Sequence, residues 1–536
     1  MDTLDDLFRR FEQLNEIGAA LSKERNIDRL LESILVAAKT ITRADGGTLY
    51  RMTEDGERLR FEIVRTDSLN IALGGTTGKP INFPDLALHN ETGQPNNSLV
   101  AAYAALHDKT VNIADAYTEA GFDFSGTRKF DERTGYRSQS FLTVPMKNHE
   151  GEIIGVLQLI NSTDPKTQQV VPFSSADQRL AESLASQAAI ALTNRMLVVQ
   201  LETLFEAFIN LINLAIDEKS PYTGGHCQRV PSLTMMLAEA VNASGDGPLA
   251  DFNMSDKDRY ELKIAGLLHD CGKVTTPVHV VDKATKLQTI FDRIQLVDTR
   301  FEVLRRDAEV RALSRMLEAR EKQDVEAEAH IWEEYEAESH AIDDDRDFLR
   351  KCNIGGEAMK PEDQQRVRDI GHQRKWRNVE GVEADFLTAE EVENLSIRAG
   401  TLTQKEREVI NYHIVATIKM LEQLPWPKHL KNVPEYAGGH HERMDGKGYP
   451  KGLTREQMSV QARIMGIADI FEALTARDRP YKHGMKLSQA LSILGQFAAG
   501  GHIDPDLFHV FVQEKVYLKY AQEFLDPLQI DEVGVH

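Results

Sequence analysis

Cysteine is scarce: Cys227, Cys271 and Cys352 are the only three in 536 residues, and none forms a CxxC pair. That argues against a disulfide framework and against a thiolate zinc site, and it fits a reducing, cytoplasmic compartment. Positive charge is also short. A formal net charge of −21 argues against a general nucleic-acid binder, which would need a basic face, although a bound cation can invert the local sign where an anionic substrate sits. No apolar run of membrane-spanning length stands out, and the N-terminal MDTLDDLFRRFEQL is acidic and amphipathic rather than a signal, so no membrane partner is expected. What is present is length for two or three domains and, at 41% hydrophobic residues, material for real cores.

The pattern of residues changes along the chain. Residues 1–26 predict an amphipathic helix, with Leu7, Phe11, Leu14 and Ile17 at helical spacing. Residues 27–175 read as mixed α/β: a helix over IDRLLESILVAAKTI, strands over GGTLYRM and RLRFEIVRT, and later SFLTVPMKN and EIIGVLQLIN around the hairpin signal Asn148–Gly151. A sheet with helices on one side, built around a small pocket, is expected. Residues 176–216 predict one long connecting helix, in which Leu197, Leu201, Leu204, Phe208, Leu211 and Ala215 step by four and three. That stripe predicts a parallel homodimeric coiled coil between an input and an output domain. Residues 217–520 are helical and are interrupted over about 291–400 by a charged stretch, expected to be a partly solvated helical insertion. Residues 521–536 read as a C-terminal tail. His330, His340 and His372 in the insertion have no ligand spacing and read as solvent-facing.

The chemistry concentrates elsewhere. His440-His441 opens a Gly-rich loop, HHERMDGKGYP, and two adjacent imidazoles that both need partners are better explained by metal than by core. His269-Asp270 forms a second doublet in LLHDCGK, and Asp469 follows in ARIMGIADIFEAL. With His226 and His413 these make a histidine–carboxylate donor set without thiolate, which suits iron, manganese or zinc in a two-metal hydrolytic site. Asp270, with two oxygens, is the candidate bridge. Such a pair of ions activates a shared water and clamps a phosphoryl group for in-line attack.

The segments YTGGHCQRV, LLHDCGKV, HHERMDGKGYP and IADIFEALTARDRPYK resemble the HD-GYP family of metal-dependent phosphodiesterases, over about residues 217–282 and 401–520. The resemblance implies an all-α HD-superfamily domain that hydrolyses cyclic di-GMP with two or three divalent ions, iron or manganese. It implies the ligands His226, His269, Asp270, His413, His440, His441 and Asp469. Asp270 and Lys273 would act at the reacting phosphoryl, and Tyr449, Arg479 and Lys482 would contact substrate phosphate. Where some members carry a third-metal Glu, this chain has Tyr222. Two metals and cleavage to linear pGpG are therefore expected, with the second cleavage to GMP left open. Compact relatives reach the next ligand His soon after the HD pair; here Asp298 occupies that place and His413 comes 144 residues after His269. His413 is expected to complete the site, with Asp298 as the alternative.

The N-terminal region resembles a GAF domain, through FDERTGYRSQSFLTVPM and EIIGVLQLINS. The pattern of cyclic-nucleotide-binding members is half kept, as Asn161-Ser162, Phe173 and Asp177-Gln178, so a cyclic nucleotide, another small molecule or no ligand is open. Together these expectations describe a multidomain cytoplasmic protein: an α/β GAF sensor, a long connecting helix and an all-α HD-GYP phosphodiesterase with a helical insertion. The rivals are another cyclic dinucleotide as substrate and a catalytically silent receptor that binds a nucleotide or a partner protein.

Overall fold

The computed structural model describes residues 2–220, 225–245, 247–356, 358–477 and 484–533, in two units that divide after Phe205. The N-terminal unit opens with α1 (Asp2–Leu21) and α2 (Ile27–Thr42). Asn26 starts α2 because its side-chain oxygen accepts from the Arg29 amide at 2.9 Å. The sheet and its short helices follow as β1 (Ala44–Met52), β2 (Arg58–Thr66), β3 (Ile71–Gly74), β4 (Leu86–Ala87), α3 (Val100–His107), β5 (Val111–Ile113), α4 (Ser125–Thr134), β6 (Phe141–Lys147), β7 (Ile153–Thr163) and β8 (Val170–Val171). The strands are antiparallel in the order β3-β2-β1-β7-β6-β5, with β4 on β2 and β8 on β7. The hairpin expected at Asn148–Gly151 joins β6 to β7.

Helices cover both faces of this sheet, not one. On one face Leu14, Leu30, Ile34 and Leu184 pack against Leu157 and Leu159. On the other, Ala101, Ala102 and Ala105 of α3 pack against Tyr50, Leu59 and Val156. The α3 segment VAAYAALH is apolar all round, so no amphipathic stripe betrays its buried face. The candidate sensor residues are consumed by the fold. Phe173 lies in the core. Asn161, at φ 57°, accepts from the Gln139 and Ser140 amides and donates to Arg137 O. Asp177 binds Arg10 and Ser174, and Gln178 binds Asn112 and Glu182.

Helix α5 (Ser175–Lys219) runs 45 residues, longer than expected at both ends. It is long and apolar enough by length and composition to cross a membrane, which corrects the expectation that no run reaches that length. Leu197, Leu201, Leu204, Phe208 and Leu211 are all exposed on it.

The C-terminal unit continues with α6 (His226–Ser244), α7 (Asp256–Leu268), a 3-10 turn over Cys271–Thr275 and α8 (Val278–Val281). The excursion comprises α9 (Ile294–Glu321), α10 (Val325–Asn353), α11 (Pro361–Gln373), a hairpin of β9 (Lys375–Arg377) and β10 (Glu383–Asp385), and α12 (Ala389–Leu395). It is not merely a solvated spur: Leu287, Val297, Phe301, Leu349, Val367, Phe386 and Leu395 form a core of its own. His330 and His372 are exposed and pair with Glu334 and Asp385. The chain then completes the domain with α13 (Gln404–Glu422), α14 (Val433–Gly438), α15 (Val460–Thr475), α16 (Leu487–Ala499), α17 (Pro505–Gln513) and α18 (Val516–Phe524). Within the expected C-terminal tail, buried Gln529 donates to Thr475 O and Met485 O, and Asp531 accepts from Ser488.

Candidate metal centre

Four helices and one loop converge their polar residues at one place in the C-terminal unit. His226 is the first residue of α6, His269 caps the end of α7 with Asp270 beside it, and His413 lies mid-way along α13. His440 and His441 follow α14, and Asp469 lies on α15. His226, His269, Asp270, His413 and His440 are buried, and His441 and Asp469 are partly exposed.

The imidazoles are oriented by one repeated device. His269, His413 and His440 each donate Nδ1–H to the carbonyl three residues earlier, on Gly266, Ile410 and Ala437, at 2.7, 2.5 and 2.7 Å. A committed Nδ1–H fixes the tautomer and leaves Nε2 a bare lone pair facing inward. His226 reaches the same result through Glu472 of α15, whose carboxylate lies 2.5 Å from Nδ1. The Nε2 atoms then face one another, His226 to His269 at 3.4 Å and His413 to His441 at 3.2 Å.

Asp270 stands between these groups. Its Oδ2 lies 3.1 Å from His226 Nε2 and 3.3 Å from His269 Nε2, while its Oδ1 lies 3.3 Å from His413 Nε2. Asp469 Oδ1 closes the first group at 3.3 Å from His226 Nε2. Two clusters able to hold an ion result, one of His226, His269 and Asp270 and one of His413, His440 and His441. The residues fit metal on the structure's own terms. Among the described residues, buried His440 Nε2 and Asp270 Oδ1 have no hydrogen-bond partner, a costly arrangement that a cation relieves. Close pairs of imidazole lone pairs need a positive centre between them for the same reason.

The electrostatics differ between the two clusters: burial alone would lower His226, but Glu472, Asp270 and Asp469 outweigh it and raise it well above its ordinary value. Burial pushes His441 down to about 4, and burial with the neighbouring imidazoles holds His440 well below its ordinary value, so both are neutral imidazoles. Burial alone would raise Asp270, but Lys273 and the imidazoles outweigh it and keep the carboxylate ionised. Lys273 Nζ sits 2.5 Å from Asp270 Oδ2. Burial opposes its charge, and Asp270 more than compensates. Tyr449 stacks on His441, with ring centroids 4.9 Å apart at 21°.

Two glycines make the convergence possible. A Cβ on Gly272 would lie 2.0 Å from His413 O and 2.5 Å from Thr417 N, so only glycine lets the turn after Asp270 meet α13. A Cβ on Gly448 would lie 2.3 Å from Arg443 N, which explains the glycine before Tyr449 in the loop.

Of the residues singled out from sequence, the structure brings together His226, His269, Asp270, Lys273, His413, His440, His441, Asp469 and Tyr449. Arg479, Lys482 and Tyr222 lie outside the described residues. Asp298 is elsewhere, held on α9 by a two-pronged pair with Arg350 at 2.8–3.1 Å. His413, not Asp298, therefore stands at the centre. Sequence reasoning missed Glu472 and Arg229. Burial works against an ionised Glu472, yet His226 and Arg229 pull it down to about 2, and Arg229 Nε donates to it at 2.8 Å. The readable signal was its spacing, one turn after Asp469 on the same helix face.

Residues 26–192 match the GAF domain family, and residues 223–339 and 388–507 match HD domain families. The chain joins a GAF domain to an HD domain. The two HD matches leave residues 340–387 between them, inside the excursion. Among curated proteins, the chain is 43% identical over 81 residues to a 3′3′-cGAMP-specific phosphodiesterase of Vibrio cholerae, covering 15% of this chain and 19% of that protein. It is 36% identical over 116 residues to a cyclic di-GMP phosphodiesterase of Pseudomonas aeruginosa, covering 22% and 27%. It is 31% identical over 121 residues to a cyclic di-GMP phosphodiesterase of Thermotoga maritima, covering 23% and 32%. The matches thus span less than a third of each of these relatives. A solved GAF domain from an Acinetobacter phosphoenolpyruvate-protein phosphotransferase aligns with 35% of this chain and 96% of its own, at 15% identity and a TM-score of 0.25.

Proposed function

We propose that the protein is a metal-dependent phosphodiesterase that opens cyclic di-GMP to linear pGpG, with the GAF domain as its sensor. The observation that carries this reading is Asp270, whose two oxygens face two separate imidazole clusters. Two divalent ions, iron or manganese, held by His226, His269, Asp270 and Asp469 and by His413, His440, His441 and Asp270, would activate water and neutralise phosphoryl charge.

The chain's own groups do the rest. In the net reaction water adds at phosphorus, the P–O3′ bond breaks, and O3′ departs as a hydroxyl. Lys273 brings a fixed ammonium to the site where negative charge grows on the phosphoryl oxygens. Its tie to Asp270 keeps that charge from being spent by motion. Neutral His440 and His441 contribute lone pairs without repelling a cation. Tyr449, fixed against His441, gives a nucleotide a rigid wall, and Arg479 and Lys482 are assigned to substrate phosphate by their motif.

The free state of all three cysteines supports a cytoplasmic setting. The exposed leucines of α5 support a homodimer through that helix. A second substrate, 3′3′-cGAMP, is favoured by the 43% identical stretch shared with a phosphodiesterase of that specificity. The test is turnover of both cyclic dinucleotides by protein loaded with manganese or iron, alongside His269→Ala/Asp270→Ala. The wild type is expected to convert cyclic di-GMP to pGpG and the double variant to be inactive. Equal turnover by both would remove the assignment, and preference for 3′3′-cGAMP would select the second substrate.

A further inference from the structure

The last turn of α5 ends on the main chain that carries the centre. Lys219 Nζ donates to three backbone carbonyls of the turn after Asp270: Val274 O at 2.6 Å, Thr276 O at 2.6 Å and Lys273 O at 3.2 Å. All three ammonium donors are used on carbonyls, and no carboxylate pairs with Lys219 among the described residues. A helical turn leaves its final carbonyls unpaired. No other donor to Val274 O or Thr276 O is found among the described residues.

The same turn presents Lys273 on its other side, with Nζ 2.5 Å from Asp270. Its remaining support comes from α13, where Thr417 Oγ1 accepts the Gly272 amide at 2.9 Å. The turn is therefore held from two directions, by α13 beneath Gly272 and by Lys219 behind Lys273. Side-chain packing secures the start of the turn at buried Cys271, while Val274 at its far end is nearly half exposed and leaves that end to Lys219.

We propose that Lys219 is a positioning residue: it fixes the Cys271–Thr275 turn so that Lys273 keeps its ammonium on Asp270. Its activity arm rests on the phosphodiesterase reading above; its structural arm does not. Among the described residues Lys219 bonds only to carbonyls of this turn and to no proposed ligand atom, so its effect passes through the turn that carries Lys273.

The experiment uses the full-length, manganese-loaded protein with Lys219→Met, Lys219→Arg, Lys273→Met and the double variant Lys219→Met/Lys273→Met. Hydrogen exchange of amides 271–276 is expected to quicken in Lys219→Met, with unchanged manganese content and unfolding midpoint. The kcat on cyclic di-GMP is expected to fall about tenfold with KM nearly constant, as for a misplaced rather than absent group. Lys219→Arg restores most of it. The double variant loses no more than Lys273→Met alone, because the two residues act as one unit. Additive losses, or exchange at 271–276 unchanged in Lys219→Met, would overturn the proposal. An inactive wild type would overturn the phosphodiesterase reading alone and leave the exchange result to decide on Lys219.

Discussion

Glu472 shows what a single buried carboxylate does for a metal site. It accepts from His226 Nδ1 and is itself held by Arg229, so it sets the tautomer that turns Nε2 of His226 toward Asp270. Replacing it as Glu472→Gln leaves the shape and removes the charge. Manganese affinity is expected to drop about 10- to 100-fold, the usual cost of losing such a partner, with the unfolding midpoint little changed. Titration of the apoprotein with manganese checks this, and unaltered affinity would show that Glu472 is only a packing group. The candidate ligands themselves were legible because doublets such as His269-Asp270 and His440-His441 are poor core material. Glu472 was not, because one glutamate on a helix looks like a solvated charge until the helix is seen to be buried.

Elements, rather than residues, decide whether those groups meet. The 3-10 turn after Asp270 and helix α13 approach so closely that Gly272 has no room for a side chain. Gly272→Ala must separate them, and overpacking of this kind costs about 1–3 kcal/mol. Chemical denaturation should therefore show a clear loss of stability, together with loss of manganese from the second cluster through displacement of His413. A variant as stable and as well loaded as the wild type would mean that the contact yields freely. The placement of His413 on α13 at the cluster was readable because the continuation around it restores an imidazole after the excursion. The faces of the sheet were less readable: α2 has a clear apolar stripe, whereas α3 is alanine-rich and apolar all round, so periodicity could not tell which side it covers.

On the scale of the whole molecule, the order of α/β domain, long helix and helical domain was evident from changes in residue pattern at about 27, 176 and 217. The packing of the excursion was hidden, because Leu287, Phe301, Leu349 and Phe386 lie far apart in sequence and meet only when α9 to α12 fold on one another. The exposed stripe of α5 carries a prediction of its own. Leu201 and Phe208 are 64% and 56% exposed, and burying them against a second copy would remove apolar surface from water. Light scattering is expected to give a dimer for the wild type and a monomer for Leu201→Glu/Phe208→Glu, and a wild-type monomer would end that assignment.

The central claim is that Asp270 joins two cation sites. Anomalous diffraction from manganese-loaded crystals tests it most directly. Two peaks per chain are expected, one beside His226 and His269 and one beside His413, His440 and His441, with Asp270 touching both. A single peak, or two peaks of which Asp270 touches only one, would contradict it.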